Sequence, residues 1–490
     1  MYTNMEEDCE LRLGPPERSA KMDIIIVGAG ASGLVTAYRL LEKDPSLQIR
    51  ILEASDVIGG NLVQLPMGEI GAKWLEETQT HMHLLLQRLE VPMQQRTIVD
   101  STLPRCWELD SGVTSYFAKY ELQRYINELQ LKTPFFKPGR FSIRRDSTKM
   151  GKHINNRLFF NESRKFMTNL VELVCGLKAD DISYKEFMNL CYGCGGVQNI
   201  MNIYLECPNT LLEFDSARLI KKLKQTLQNT EILPSRQVKA ICHYKDYVEV
   251  HDSAQHVHTT EALILAIPLN HLQHINISPP VPMEIRNVIN QKSDAAKYVT
   301  SFIACYTDGH WRKAGYSGDF LKNEPFIVGH EYRPSVYVGM TMHDSAMDSL
   351  VRATVLNALA QHFGEEMKAP ISYSQHTFLL SAMGHVPFTT PWNRIIWSSS
   401  AAAATCYRGF LGGAVQSGLR AAMNALLLVR PQKVTWMDVA DLHCQNCPNI
   451  KDVGMLQLWM SGLNLFNVGY YTLYASSVLV ALQLAYKRFN

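Results

Sequence analysis

The stretch that decides the fold reads, from residue 23 to residue 33, Asp23-Ile-Ile-Ile-Val-Gly28-Ala-Gly30-Ala-Ser-Gly33. Its apolar run predicts a buried strand, its glycines predict a tight turn, and the apolar spacing beyond them predicts a helix. A second apolar run, 49–52, ends at Glu53, about 20 residues past the turn, where such a unit places an acid that accepts hydrogen bonds from ribose. The stretch predicts a dinucleotide-binding unit.

Each position of the turn has a physical role. Gly28 permits the turn out of the strand, Gly30 lets backbone approach a pyrophosphate, and Gly33 lets the helix pack against the strand. The first helical residues, Ala31 and Ser32, bring N–H groups and the positive end of the helix dipole to the phosphates. A glycine-rich turn without a ligand is the alternative, and the strand, helix and acid together favour the ligand.

Beyond Glu53 come Ala54, then Gly59-Gly60-Asn61, then Gly71-Ala72-Lys73-Trp74. With these motifs the chain resembles the flavin-containing amine oxidases, and the monoamine oxidases in particular. The resemblance implies FAD as the cofactor, with Gly60 against its diphosphate and Ala54 beside the ribose acid. The family usually has arginine where this chain has Asn61, and asparagine donates hydrogen bonds but carries no charge.

Composition narrows the class of protein. The chain has 490 residues, enough for two or three domains. Its net charge of +2 does not show the excess of basic residues that is typical of nucleic-acid-binding proteins. The 11 cysteines and a polar N-terminus lead us to expect free thiols in a reducing, cytosol-facing environment. Two Cys-x-x-Cys pairs, Cys191/Cys194 and Cys444/Cys447, have residue types that suit zinc, but they lie far apart and ordinary thiols are the better interpretation.

The order of helical and strand patterns predicts an α/β fold. The resemblance implies a Rossmann-type FAD-binding domain with an inserted α+β substrate domain of mixed sheet and helix, followed by a C-terminal membrane helix. The expected divisions are a disordered N-terminus (1–20), three FAD-binding segments (21–80, 215–275, 385–430), two substrate-domain segments (81–214, 276–384), a linker (431–452) and a membrane anchor (453–490).

Two stretches in the middle of the chain extend the resemblance. Cys194-Gly195-Gly196 is similar to a Cys-Gly-Gly of monoamine oxidases, and by that alignment Ile200 and Met201 fall where those enzymes place apolar residues that gate the cavity. Val238 falls where the family contacts the adenine edge through backbone. Plain core packing is the alternative for all three apolar residues.

The most serious departure concerns a lysine. His310-Trp311-Arg312-Lys313 is similar to a Phe-Trp-Arg-Lys of monoamine oxidases, and counting back from it places the family's active-site lysine at Ser301. That lysine holds a water near flavin N5, whereas a serine binds water without a positive charge. Lys297 is four strand residues away, roughly 13 Å, which is too far to replace it without a register shift.

The C-terminal flavin segment matches in its second half. Gly409-Phe410-Leu411-Gly412-Gly413 and the residues after it resemble the helix start of monoamine oxidases, where backbone N–H groups near Leu411 would stabilise negative charge on reduced flavin. Phe410 falls on one wall of the aromatic cage, where the family has tyrosine. The family's Gly-Thr-Glu is replaced within 398–404, and 375–384 lacks the flavin-bonding cysteine, so the resemblance implies non-covalent FAD.

The tail indicates a membrane anchor. No charged residue occurs from Val453 to Tyr486, and residues 468–486 suit one span of about 20 residues. A buried amphipathic helix is the alternative. The resemblance implies the mitochondrial outer membrane, with the protein facing the cytosol. A homodimer is compatible with this class.

Together these features predict an FAD-dependent oxidase that converts a small-molecule amine to an imine with dioxygen as the acceptor. Ser301 and Phe410 are the residues expected at the reacting centre. The competing hypothesis is a catalytically inactive membrane flavoprotein or scaffold, motivated by the departures at Asn61, Ser301, Phe410 and the Gly-Thr-Glu position. An NAD-dependent enzyme is a weaker option, because the Gly-Gly and C-terminal segments are of the flavin type.

Overall fold

Two large β-sheets carry the helices and loops of the described chain. The computed structural model describes residues 17–65, 68–98, 102–110, 113–137, 148–228, 230–289, 297–344, 350–380, 389–404, 406–443, 454, 472–473, 476–480 and 482–483. The strands are, in chain order, β1 (Glu17–Arg18), β2 (Met22–Val27), β3 (Ile49–Leu52), β4 (Leu62–Leu65), β5 (Gly68–Gly71), β6 (Trp74–Leu75), β7 (Met93–Gln95), β8 (Cys106–Trp107), β9 (Leu212–Phe214), β10 (Glu231–Leu233), β11 (Val238–His243), β12 (Val248–Asp252), β13 (His256–Leu265), β14 (Asn276–Ser278), β15 (Tyr298–Cys305), β16 (Phe320–Asn323), β17 (Phe326–Arg333), β18 (Val336–His343), β19 (Ser372–Leu379) and β20 (Ile395–Trp397).

The helices follow the same order. They are α1 (Ala31–Lys43), α2 (Thr80–Arg88), α3 (Val113–Lys132), α4 (Met150–Arg157), α5 (Asn161–Cys175), α6 (Tyr184–Gly193), α7 (Val197–Tyr204), α8 (Ser216–Thr226), α9 (Met283–Ile289), α10 (His310–Lys313), α11 (Val351–Phe363), α12 (Leu411–Val429) and α13 (Trp436–His443).

The nine-stranded sheet contains the predicted dinucleotide unit. Its path is β10-β3-β2-β13-β12-β11-β14, with β1 and β20 also paired to β13. β2, β3 and β10 run parallel, and Ile24, Ile25 and Ile26 are fully buried because this sheet is covered on both faces. Helix α1 connects β2 to β3 and packs against α12. The predicted strand, turn, helix and second strand are confirmed, and the mixed α/β fold with them.

Strand β13 brings distant parts of the chain together. It pairs in parallel with β2, near the start of the chain, and with β20, near residue 395. It also pairs with its neighbour β12 in the antiparallel sense. β1 at Glu17–Arg18 pairs with β13 too, so the end of the segment expected to be disordered is ordered. The rest of that segment, 1–16, lies outside the described residues.

The six-stranded sheet has the order β19-β15-β18-β17-β16-β8. Side chains alternate between its faces. Phe302, Ala304 and Ile327 pack on one face with α11. Val299, Val328, Phe326, Met340 and Met342 lie on the other, in an apolar cluster with residues of α5, α6 and α7. This second face is the one that meets the candidate site.

Helix α8 illustrates how local sequence fixes an element. Asp215 accepts a 2.7 Å hydrogen bond from the backbone N–H of Arg218, which caps the helix start. Leu219 and Leu223 are buried on one side, whereas Lys221 and Lys224 face solvent. The apolar spacing of Ala217, Leu219, Ile220, Leu223 and Leu227 predicts this helix from the sequence, and the structure contains it.

The predicted membrane span has no counterpart among the described residues. None of the helices within them combines the length and apolarity that crossing a bilayer requires. Most of the predicted anchor, 453–490, lies outside the described residues.

Candidate functional site

Two glycines of the dinucleotide turn are required by contacts within the protein. Gly28 has φ +104°, and a Cβ there would lie 2.6 Å from the carbonyl oxygen of Ala266. A Cβ on Gly33 would lie 2.1 Å from the carbonyl oxygen of Gly28. These positions explain the close approach of α1 to the strands, with or without a ligand.

Gly30 is different, because the protein leaves space beside it. Among the described residues, and apart from its chain neighbours, a Cβ there would meet only the Cα of Gly60, at 3.9 Å, and Gly30 also forms a parallel bridge with Gly59. Gly30 is the N-cap of α1 and, as a glycine, has no side chain to cap the first N–H groups of this helix. An open, glycine-lined space at an uncapped helix N-terminus is suited to a pyrophosphate. The residues present therefore fit a dinucleotide.

The acid at the end of β3 is turned towards the same place. Glu53 Oε2 accepts a 2.6 Å hydrogen bond from the backbone N–H of Ala29, and Oε1 accepts one of 2.9 Å from Ser55. Ala54 between them is exposed. The carboxylate is thus fixed beside the turn, and its contact with a ribose stays a prediction.

The segment after β10 runs alongside Glu53. The N–H of Glu53 donates to the carbonyl of Leu233, and the N–H of Arg236 donates to the carbonyl of Glu53. Val238, two residues further on, is 4 % exposed and packs in an apolar cluster with Leu52. Its side chain is core, and adenine contact through its backbone stays a prediction.

Asn61 lies in an exposed turn next to the glycine pair. Its carbonyl oxygen accepts a 3.0 Å hydrogen bond from Ala72. This bond joins the Gly59-Gly60-Asn61 turn to the Gly71–Trp74 segment, so two of the stretches quoted for the resemblance are adjacent.

The serine and alanine run at 398–404 is a packed loop. Ser32 Oγ donates to the carbonyl of Ser398 at 3.0 Å, so this predicted cofactor-binding residue uses its hydroxyl to join α1 to the loop. Arg420 Nη2 donates to the carbonyl of Ala402 at 2.7 Å. Gln416 accepts from the N–H of Ala404 at 3.1 Å. Helix α12 thus holds the loop that replaces the family's Gly-Thr-Glu.

The start of α12 carries the second predicted half of the site. Leu411 is its first residue and Phe410 is the N-cap, whose own side chain makes no capping hydrogen bond. The N–H of Gly412 donates to Oε1 of Gln79, a residue that sequence reasoning missed because it lies far away in the chain. Phe410 is 8 % exposed, and its ring lies 5.5 Å from that of Tyr204 on α7.

Ser301 lies on the face of β15 that meets this site. Val299 and Ile303, two residues to either side, both point to that face, and Ile303 packs with Ile70 of β5. Ser301 is 9 % exposed and pairs with Met340 on one side and His376 on the other. Burial lowers the pKa of His376, which favours its neutral form.

Lys297 does not take the place of the missing lysine. Its Nζ lies 2.7 Å from Glu172 and 2.7 Å from Asp344. Burial alone would lower the pKa of Lys297, but the hydrogen bonds to Asp344 and Glu172 outweigh it and raise the pKa. This ammonium is bound in an ion-pair network.

The proposed cavity residues on α7 share one apolar cluster with Phe410. Ile200 is fully buried and Met201 partly buried in it, so the structure brings them together with the aromatic position. Their gating role stays a prediction. Cys191 and Cys194 are buried in the same cluster, and burial raises the pKa of the Cys191 thiol well above its usual range. Among the described residues no group of side chains could hold a metal, and Cys444 and Cys447 lie outside them.

Comparison with known proteins agrees with this geometry. The model of the flavin containing amine oxidoreductase family matches residues 215–426, and that of the Thi4 family matches 17–97, which includes the dinucleotide turn. The chain is 22 % identical over 453 residues to the putative flavin-containing monoamine oxidase AofH of Mycobacterium tuberculosis, covering 83 % of this chain and 97 % of that one. It is 23 % identical over 462 residues to human amine oxidase [flavin-containing] B, covering 83 % and 86 %.

Solved structures share the fold. A redesigned putrescine oxidase superposes with a TM-score of 0.67 at 18 % identity, over 83 % of this chain and 99 % of that one. Cyclohexylamine oxidase from Brevibacterium oxydans gives 0.68 at 17 % identity, over 85 % and 100 %. The family model, the relatives and the site agree, so the chain is similar to the flavin-containing amine oxidases, and FAD is the cofactor that this similarity implies.

Proposed function

We propose that this protein oxidises a small-molecule amine to an imine, with dioxygen as the electron acceptor. The observation that carries the proposal is that two helices begin at the site. The N-terminus of α1 lies beside the space between Gly30 and Gly60, and the N-terminus of α12 lies at Phe410, in the apolar cluster that also contains Ile200. The first suits a pyrophosphate, and the second suits the reacting end of a flavin.

The chain's residues would divide the work. Gly30, Gly60 and the first amides of α1 would hold the diphosphate, and Glu53 the ribose. Asn61 would add hydrogen bonds there without charge. FAD supplies the two-electron chemistry when it is bound.

At the reacting end, the amide of Leu411 would stabilise negative charge next to the α12 N-terminus. Phe410 would confine the neutral amine with its ring face. Ser301 would hold a water at the position that the resemblance assigns to a lysine. The amine gives up two electrons and two protons and becomes an imine. Dioxygen accepts these electrons and protons and becomes hydrogen peroxide, and water hydrolyses the imine.

The experiment is a purification followed by anaerobic reduction. We expect detergent-extracted protein to be yellow and to release FAD on acid denaturation, which would show that the flavin is not covalently bound. Addition of amines without oxygen should bleach the flavin, and admission of oxygen should restore its colour and produce peroxide. A protein that stays colourless in excess FAD, or that no amine bleaches, would instead be the inactive scaffold.

We also propose a C-terminal anchor in a membrane, with the mitochondrial outer membrane as the address. The support is the uncharged stretch from Val453 to Tyr486. The full chain should remain in the membrane pellet after alkaline carbonate extraction, and a chain ending at residue 452 should be released. Release of the full chain would contradict the anchor.

A further inference from the structure

Helix α13 carries its polar and apolar residues on the opposite sides from an ordinary surface helix. Its Asp438 is only 6 % exposed, whereas Trp436 is 77 % exposed. Met437 and Val439, on either side of the acid, are 56 % and 44 % exposed. A surface helix of a soluble protein buries its apolar side and turns its charged side to water. The outer side of α13 is therefore suited to an apolar environment.

The contacts of Asp438 fix this orientation. Its Oδ1 lies 2.7 Å from Nη2 of Arg39, and its Oδ2 lies 2.7 Å from Nζ of Lys43, both on α1. The N–H and the hydroxyl of Thr435 also donate to Oδ2, each at 2.8 Å. Because successive helical residues are turned by about 100°, Trp436 points away from α1 when Asp438 points towards it. A rotation of α13 that buried the indole would break both ion pairs.

The apolar surface continues on the last turn of α12. Leu427 and Leu428 are 50 % and 39 % exposed there, and α13 packs against α12. Lys433, in the segment that connects the two helices, is exposed as well. A group of exposed apolar side chains next to a basic residue indicates an interaction surface. We call it the α12–α13 face, and it consists of Leu427, Leu428, Trp436, Met437 and Val439.

The chain leads from this face to the uncharged stretch of the tail. Helix α13 ends at His443, and the uncharged stretch begins at Val453. Even fully extended, the chain between these two points reaches at most roughly 35 Å. The face therefore lies close to the place where the tail becomes apolar.

The tail residues that the structure describes do not cover the face. Residues 476–480 are helical, and every one of them is exposed. Five successive helical residues point in all directions around the axis, so no side of this turn packs against protein. Leu473 and Leu482, in the other described parts of the tail, are 74 % and 61 % exposed. These apolar residues require an apolar environment of their own, which a bilayer supplies to both the tail and the face.

We propose that the α12–α13 face lies in the interfacial layer of a phospholipid membrane. This inference rests on the proposed C-terminal anchor. Trp436 would lie among the lipid headgroups, where an indole finds both apolar and polar surroundings. Met437, Val439 and the two leucines would enter the acyl boundary, and Lys433 would lie near lipid phosphates. The ion pairs of Asp438 would then hold α1, and with it the predicted dinucleotide turn, in one orientation to the membrane.

Fluorescence quenching of the full chain in phosphatidylcholine vesicles tests the face. The probe is the same lipid with brominated acyl chains, which quenches the tryptophans that contact it. The Trp436 signal is the difference between the original protein and Trp436→Phe, which keeps an aromatic ring at an exposed position and should fold. We expect the brominated lipid to remove most of this signal, and acrylamide in the water to remove little of it.

Two controls show whether the contact is specific. Trp392 is partly buried beside His243 of the nine-stranded sheet, and its signal, obtained with Trp392→Phe, should be the same in both lipids. Met437→Asp should weaken the quenching of Trp436, because a carboxylate is unfavourable in the acyl boundary. Ile371→Asp places the same charge on another exposed apolar residue and should leave the quenching unchanged.

Three results would overturn the proposal. A Trp436 signal that neither brominated lipid nor acrylamide reduces would mean that protein, either a second copy or the tail, covers the face. A signal that acrylamide alone reduces would leave the face in water. Equal quenching of Trp392 and Trp436 by the lipid would remove the distinction between this face and the rest of the surface.

The face and the anchor fail in different ways. Retention of the full chain after carbonate extraction, with no quenching of Trp436 by brominated lipid, would leave the anchor standing and remove the face. Release by carbonate, with quenching of Trp436 by brominated vesicles, would establish the face and remove the membrane span.

Discussion

The amide of Gly412 donates a 3.0 Å hydrogen bond to Oε1 of Gln79, a side chain that is only 2 % exposed. A Cβ on Gly412 would lie 2.8 Å from that oxygen, so the glycine is required for the contact. Gln79 thus caps, from another part of the chain, the helix whose N-terminus is proposed to face the flavin.

Replacement of Gln79 by leucine should destabilise the protein. The buried N–H of Gly412 would lose its acceptor, at a cost of about 1–3 kcal/mol in the free energy of unfolding. Urea unfolding measures this, and Gln87→Leu on the exposed side of α2 is the matched control. Gln79→Glu keeps the acceptor but adds negative charge at the N-terminus of α12, and should therefore lower the midpoint potential of the flavin. An unchanged potential would mean that α12 does not act on the flavin.

Gly30→Ala should weaken FAD binding without weakening the fold. Within the part of the chain that the structure describes, the nearest atom beyond the chain neighbours lies 3.9 Å from the new Cβ, and Gly30 has φ −76°, which alanine adopts freely. A bound pyrophosphate would meet the methyl group, so we expect the FAD dissociation constant to rise by about tenfold or more. Gly309→Ala is the matched control, because its Cβ also makes only ordinary contact, at 3.6 Å or more. Equal FAD affinity in the two variants would place the diphosphate elsewhere.

Ser301→Lys should speed the reaction of reduced flavin with dioxygen. The substitution restores positive charge at the position where the resemblance places a lysine, and the expected gain is about tenfold or more, since one well-placed charge is worth at least 1.4 kcal/mol. Stopped-flow reoxidation measures the rate. Ser301→Met, of similar length and no charge, should show no gain. A rise in both variants would assign the effect to packing.

Protonation of Asp438 in strong acid should lower the free energy of unfolding. Burial alone would raise its pKa, but hydrogen bonds from Lys43 and Thr435 and the charge of Arg39 lower it to about 2. A carboxyl whose folded pKa is depressed contributes stability that is complete above its unfolded pKa, near 3.8, and that is lost as the pH falls towards 2. Asp438→Asn should remove roughly 1–2 kcal/mol of unfolding free energy at pH 7 and much less at pH 2. An equal loss at both pH values would show that the carboxylate charge does not contribute.

Local signals in the sequence predicted the elements with short-range periodicity. The strand before Gly28, the helix after it, the second strand ending at Glu53 and the helix after Asp215 follow from patterns within about 20 residues. The resemblance added the start of α12 and the serine at β15. In each case the information lay in neighbouring residues.

The contacts that shape the site were not predictable in this way. Gln79 meets Gly412, and Ser32 meets Ser398, across separations that no periodic pattern encodes. The polarity of Gln79 was visible in the sequence, but its burial was not, because burial depends on how the sheets assemble. For Lys297, strand geometry predicts its distance from Ser301. Its ion-pair partners Glu172 and Asp344 are known only from the structure.

The pairing of β13 with both β2 and β20 has a consequence for biosynthesis. Strand β2, which precedes the dinucleotide helix, is made early, but β20 and α12, which complete the sheet and pack on α1, come from residues 395–429. A nascent chain therefore cannot finish its FAD-binding domain until most of the protein has left the ribosome. Cofactor capture is accordingly a late event, and a chain that terminates before residue 395 should be unable to retain FAD.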